Sequence, residues 1–188
     1  NNQVQTLFFD SMRDIRKQRA QIGRTYHQQI AQSFADFIDG KLQPRDLPGQ
    51  LDADKLSLVQ NEDYEESLLV TNMSSRVKAR CAQSLFALEQ RLALLNNGKK
   101  LSEDSNPFGP LAIAQTFRDS LTPTPFPLRI KTILYMLFDQ HMMQNLDSLY
   151  EALNQRLIDA GVLPNLKYSA QRAATRNRPT PTEASAQQ

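Results

Sequence analysis

Residues 62–95 read Glu62-Asp-Tyr-Glu-Glu-Ser-Leu-Leu-Val-Thr-Asn-Met73, then Ser74-Ser-Arg-Val-Lys-Ala-Arg-Cys-Ala-Gln-Ser-Leu85, then Phe86-Ala-Leu-Glu-Gln-Arg-Leu-Ala-Leu-Leu95. Apolar side chains recur at Leu69, Met73, Val77, Cys81, Leu85, Leu88, Leu92 and Leu95. Steps of four and three place them on one stripe of an α-helix. No Pro or Gly interrupts the run, so the spacing predicts one helix roughly 50 Å long, a spine for the other elements. Asn61 is the expected N-cap, because its side-chain oxygen can accept from an orphan N–H of the first turn. The acidic residues after it suit the positive end of the helix dipole. Asn96-Asn97-Gly98 supplies residues that tolerate the left-handed stop.

Working outward, a first helix is predicted over about Val4 to Ile38. Its stripe is Phe8, Met12, Ile15, Ile22, Tyr26, Ile30, Phe34 and Phe37, and Gly40 ends it. Residues 41–60 read as a connector, with Pro44, Pro48 and Gly49 excluding a helix through its first half. The short apolar run Leu56 to Val59 is expected as a pad against the spine. After a turn-rich segment, Pro110 starts a further helix with Gly109 as its cap. That helix turns Leu111, Ala114, Phe117 and Leu121 inward. Pro123, Pro125 and Pro127 enforce an extended link. The last helix is predicted over Leu128 to Ala160, on the stripe Ile130, Leu134, Leu137, His141, then Leu146, Leu149, Leu153 and Leu157, widened by Ile133, Phe138 and Met142 so that more than one side is buried. Gly161 is its expected left-handed stop and Pro164 the breaker.

The fold expectation is therefore all-α: an elongated bundle of about four principal helices, two of them very long. Residues 1–166 form the helical domain. Residues 167–188 lack the apolar surface to offset ordering entropy and read as a disordered basic tail or interdomain linker. The tail also explains the charge. The 188-residue chain has a formal net charge of +2. Lys167, Arg172, Arg176 and Arg178 against Glu183 account for the excess; without them 18 basic residues face 19 acidic ones. A nearly neutral domain argues against a general nucleic-acid surface.

Several classes of function find no support in the residues. No stretch approaches the eighteen or more apolar residues of a membrane span, so no membrane partner is expected. The chain opens Asn1-Asn2-Gln3-Val4 without Met or a signal-peptide pattern, which reads as a fragment of a longer cytoplasmic protein. The single Cys81 fits a reducing compartment, and its place on the spine stripe reads as a buried structural thiol. His27, Cys81 and His141 form no ligand pairing on one helix face, so no metal is expected. No Gly-x-Gly-x-x-Gly or Walker loop is present, so no cofactor is expected either.

Two groups of residues remain as candidates. Asn72 and Arg76 lie four apart on the spine and can reach Asp139 across a helix–helix boundary. With His141 they form a candidate polar bridge or interaction site, although His141 falls on the apolar stripe and reads first as a core histidine. The second group is a basic face on the first helix: Arg13, Arg16, Lys17 and Arg24, with Arg19 beside them. A solvated helix face is its ordinary meaning, and a phosphate- or acid-binding face the alternative.

Four stretches also carry a resemblance. Residues 61–95, Glu103-Asp-Ser-Asn-Pro-Phe-Gly-Pro110, Leu134-Tyr-Met-Leu-Phe-Asp-Gln-His141 and Leu149-Tyr-Glu-Ala-Leu-Asn-Gln-Arg-Leu-Ile-Asp-Ala-Gly-Val-Leu-Pro164 resemble the N-terminal part of the proteobacterial domain of unknown function 1631 family, whose members are often labelled thymidine phosphorylase. The resemblance implies the N-terminal segment of a much longer cytoplasmic bacterial protein, with a loose connection to cyclic-di-GMP signalling through C-terminal parts that resemble a degenerate β-barrel receptor. The enzyme label implies an α/β fold with glycine-rich phosphate contacts, and this chain has neither. The expected function is thus a non-catalytic protein–protein interaction and regulatory module, a scaffold whose grooves can hold a partner helix or a second copy of the chain. An enzyme or nucleotide-binding regulator completed by the missing C-terminal part is the alternative. A nucleic-acid binder using the first helix is a further one.

Overall fold

A computed structural model describes residues 2–45 and 58–166. The expected disorder of residues 167–188, and Leu56 and Ser57 of the proposed pad, lie outside the described residues. Among those described the fold is all-α: α1 (Asn2–Ile38), α2 (Leu58–Arg80), α3 (Ala82–Leu95), α4 (Pro110–Leu121), α5 (Leu128–His141) and α6 (Leu146–Asp159), with a 3-10 turn Met143–Asn145 between the last two. Two of the four expected helices are each divided, and the spine begins earlier than expected.

The spine bends at Cys81, which leaves helical geometry (φ −101°, ψ 19°). Neither Pro nor Gly is there to cause it. Both ladder bonds persist there, Cys81 N–H to the Val77 carbonyl at 2.8 Å and Leu85 N–H to the Cys81 carbonyl at 2.9 Å, and the Ser84 hydroxyl also donates to the Cys81 carbonyl at 3.1 Å. At the N-terminal end α2 starts at Leu58, so Asn61 is not the cap. It sits inside the first turns and donates to Glu65. The stripe itself is core: Met73, Val77, Cys81, Leu85, Leu88 and Leu92 are buried, while Leu95 at the end is exposed.

The last helix breaks after His141. Asn145 Nδ2 donates to the His141 carbonyl at 2.9 Å, and Met142 stands at φ −112°, ψ −59°. The 3-10 turn re-phases the chain before α6. The buried face of α5 keeps Ile130, Leu134, Phe138 and Met142 of the predicted set, adds Tyr135, and leaves out Leu137 and His141. Tyr135 is fully buried, Leu134, Phe138 and Met142 pack against the core, and Leu137 and His141 face solvent. His141 is therefore not a core histidine.

The most enclosed element is α4, with Leu111, Ala112, Ile113, Ala114, Thr116, Ser120 and Leu121 all buried. Gly109 caps it in extended conformation, its carbonyl accepting from Ile113 N–H, with Pro110 at the first helical position. Helix α4 packs between α1 and α2, and α3 packs on α6. An aromatic cluster joins α1, α4 and α5. Phe117 and Phe138 stack with centroids 4.0 Å apart, and Tyr26 meets both edge-on.

Helix ends follow the sequence closely. Gly40, Gly98 and Gly161 all have positive φ. At Gly161 the chain makes both bonds of the Schellman motif, Gly161 N–H to the Ile158 carbonyl and Val162 N–H to the Leu157 carbonyl, each 2.8 Å.

Candidate functional site

Helices α2 and α5 lie side by side and place two of the predicted residues together. Arg76 Nη2 donates to Asp139 Oδ2 at 2.8 Å. The Arg76 side chain is 59% exposed and Asp139 20%, so the pair is a surface bridge worth at most about 1 kcal/mol. Asn72 and His141 are both exposed, and neither hydrogen-bonds to the pair.

A more deeply buried polar group on the same two helices is not anticipated from the sequence. Glu66 is only 4% exposed, yet it is a carboxylate. Lys131 Nζ donates to its Oε1 at 2.8 Å and Tyr135 Oη to its Oε2 at 2.7 Å. Burial, then the adjacent Glu66 carboxylate, pushes the Tyr135 phenol well above its ordinary value. Next to it Arg118 donates to Ser67 Oγ and to the Asp63 carbonyl. Both Glu66 oxygens are engaged, so the group fastens α2 to α5. The available signal was Glu66 following the acidic run of residues 62–65 by one helical position, which reads as another surface acid.

A second buried cation ties α3 to the end of α6. Arg91, 4% exposed, donates to Asn154 Oδ1 at 2.6 Å and to the Val162 and Leu163 carbonyls at 3.2 and 3.0 Å. Asn154 Nδ2 in turn donates to the Ser84 carbonyl. The guanidinium sits at the negative end of α6, where a cation is favoured. Between α3 and α6 runs an open groove of about 630 Å³, with Arg80, Cys81, Asp147 and Glu151 among its lining. Arg80 is spent on the Met143 carbonyl. Cys81 is buried, and burial raises its thiol above the ordinary value, the direction that keeps a thiol inert.

The basic face lies on the first half of α1. Arg13, Arg16, Lys17, Arg19 and Arg24 are all exposed. Arg13 pairs with Asp10 and Arg24 donates to Gln21, both within the helix. The same half-helix exposes Val4, Leu7, Phe8, Phe9 and Met12, with Phe9 76% accessible. Phe8 and Met12 open the predicted stripe but do not reach the core. The core-packed part of α1 begins further along, at Ile22, Ile30, Phe34 and Phe37. The Arg129 guanidinium of α5 meets this half, 5.7 Å from the Phe8 ring centroid.

Residues 1–161 match the model of the N-terminal domain of the protein of unknown function family DUF1631. The chain belongs to this family. Neither a curated protein nor a solved structure matches it at a significant level. Among the described residues of this DUF1631 domain, no group of three or more His, Cys, Asp or Glu can hold a metal ion. Among the same residues, no helix is long and apolar enough to cross a membrane.

Proposed function

We propose that this DUF1631 domain is a non-catalytic protein–protein interaction and regulatory module of a larger cytoplasmic protein, and that the free half of α1 is its recognition surface. One observation carries this reading: five large apolar side chains, Val4, Leu7, Phe8, Phe9 and Met12, stand exposed on consecutive turns of one helix. Apolar side chains gathered on an exposed surface mark a site that meets another molecule. The flanking cations supply the polar rim that such a surface needs. The buried polar groups support the non-catalytic side of the reading. Glu66 and Arg91 are each occupied by contacts that hold helices together, and the exposed Arg80 donates to the Met143 carbonyl. The connection to cyclic-di-GMP signalling rests on the family resemblance alone.

The test uses the immobilised chain as bait, in parent form and with Phe9→Asp. Partners should be retained by the parent and lost from the variant, while circular dichroism melts coincide. Equal retention by both forms would remove α1 from the recognition surface. Phosphate-dependent cleavage of thymidine by the purified chain would replace the module reading with an enzymatic one.

A further inference from the structure

The chain carries a surface complementary to its own α1 arm. The opening of α2 exposes Glu62, Asp63 and Glu65, and beside them Tyr64 and Leu68, 40% and 42% accessible. It is thus apolar with an acidic rim. The α1 arm is apolar with a basic rim of Arg13, Arg16, Lys17 and Arg19. Within one chain the two surfaces do not cover each other, since both remain exposed. They nevertheless lie at the same end of the molecule. Arg129 touches the arm at Phe8, and Lys131, two residues on, touches α2 at Glu66.

We propose that the domain pairs with a second copy of itself, each copy seating its basic α1 arm on the acidic opening of the other copy's α2. This rests on the arm's being a recognition surface and names its partner. Two complementary patches at one end of a molecule suit a two-fold axis at that end. Each patch of one copy then meets the opposite patch of the other, and the pair closes without open-ended growth. Opposite rims orient the approach and exclude the like-charged pairings of arm on arm or α2 on α2. Burial of Phe9, Met12, Tyr64 and Leu68 supplies the apolar centre.

Sedimentation velocity of the full chain at micromolar concentration tests this. The expected result is a reversible dimer, weakened about tenfold or more between roughly 0.05 M and 0.5 M salt. Arg16→Glu with Lys17→Glu should give a monomer, and so should Glu62→Lys with Glu65→Lys. Mixing those two monomeric variants should restore a dimer, because each reversed arm then finds a reversed α2. All four positions are exposed, and unchanged melts verify that the variants fold. A monomer throughout, a dimer indifferent to both reversals, or a mixture that stays monomeric would each overturn the pairing. A monomeric chain whose arm still binds phosphatidylglycerol vesicles or another protein, with loss in Phe9→Asp, overturns the second copy as partner and leaves the recognition surface standing. If Phe9→Asp changes nothing in any of these measurements, the recognition surface falls as well.

Discussion

Arg91 Nη1 lies 2.6 Å from Asn154 Oδ1, joining the middle of α3 to α6 across a buried boundary. The same guanidinium takes the carbonyls of Val162 and Leu163 just beyond the Gly161 stop, so one side chain fixes both the packing of α6 and its termination. Leu163 is held at φ +45°, a conformation that L side chains rarely adopt. Removing Arg91 leaves one buried and two part-buried acceptors without this donor. Arg91→Ala is expected to cost about 2–4 kcal/mol in denaturant melts, and Asn154→Ala about 1–3 kcal/mol. Less than about 0.5 kcal/mol for Arg91→Ala would show that the clasp contributes little.

Glu66 offers a sharper case. Glu66→Ala strands Lys131, which is itself mostly buried, and leaves the Tyr135 hydroxyl unpaired. A loss of about 3–5 kcal/mol is expected, against about 1 kcal/mol or less for Arg76→Ala at the exposed bridge to Asp139. Equal costs in urea titrations would mean that burial does not separate the two pairs.

Stability should fall in alkali. Burial raises the phenols of Tyr135 and Tyr150, and raises Tyr26 to about 12. Above the ordinary tyrosine value near pH 10 the unfolded chain loses these protons while the folded chain keeps them. The folded state then binds more protons, so unfolding becomes easier as pH rises. This contribution is intact below about pH 10 and declines above it, at most by about 1.4 kcal/mol per pH unit for each fully buried phenol. Tyr150→Phe should flatten the decline measured by melts from pH 9 to pH 11. An equally steep decline in that variant would assign it to other groups.

Core and arm should respond oppositely to truncation. Leu85→Ala opens a cavity in the buried stripe and should cost about 2–5 kcal/mol. Phe9→Ser removes a larger side chain that is 76% accessible and should change stability by less than about 0.5 kcal/mol. If Phe9→Ser melts as low as Leu85→Ala, the arm is packed and not exposed.

Much of this fold can be read from periodicity. The stripe from Met73 to Leu92, the inward face of α4 and the stops at Gly40, Gly98 and Gly161 lie where the sequence places them. The two helix breaks differ in how visible they are. Between His141 and Leu146 the apolar spacing is five, a slip that helical periodicity does not accommodate and that marks the 3-10 turn. At Cys81 the spacing is regular, because the ladder bonds on both sides of Cys81 persist and leave the buried face in phase. Periodicity also cannot tell that Phe8 and Met12 continue the α1 stripe past the end of the core. That depends on where the other helices lie along α1, whose core-packed residues begin at Ile22. The Arg76–Asp139 bridge was approachable from helix spacing. Glu66 was not, since its partners Lys131 and Tyr135 lie on a helix 65 and 69 residues away and neither belongs to the predicted stripe.

The most direct measurement is hydroxyl-radical footprinting of Phe9 and Met12, with Tyr135 and Tyr150 as buried references. In dilute chain the account predicts fast modification of the arm and slow modification of the two tyrosines. Under conditions of assembly, Phe9 and Met12 should become protected while exposed Met136 does not change. Protection of Phe9 and Met12 already in dilute chain, or modification that stays the same on assembly, would contradict the arm as the surface by which this domain meets its partner.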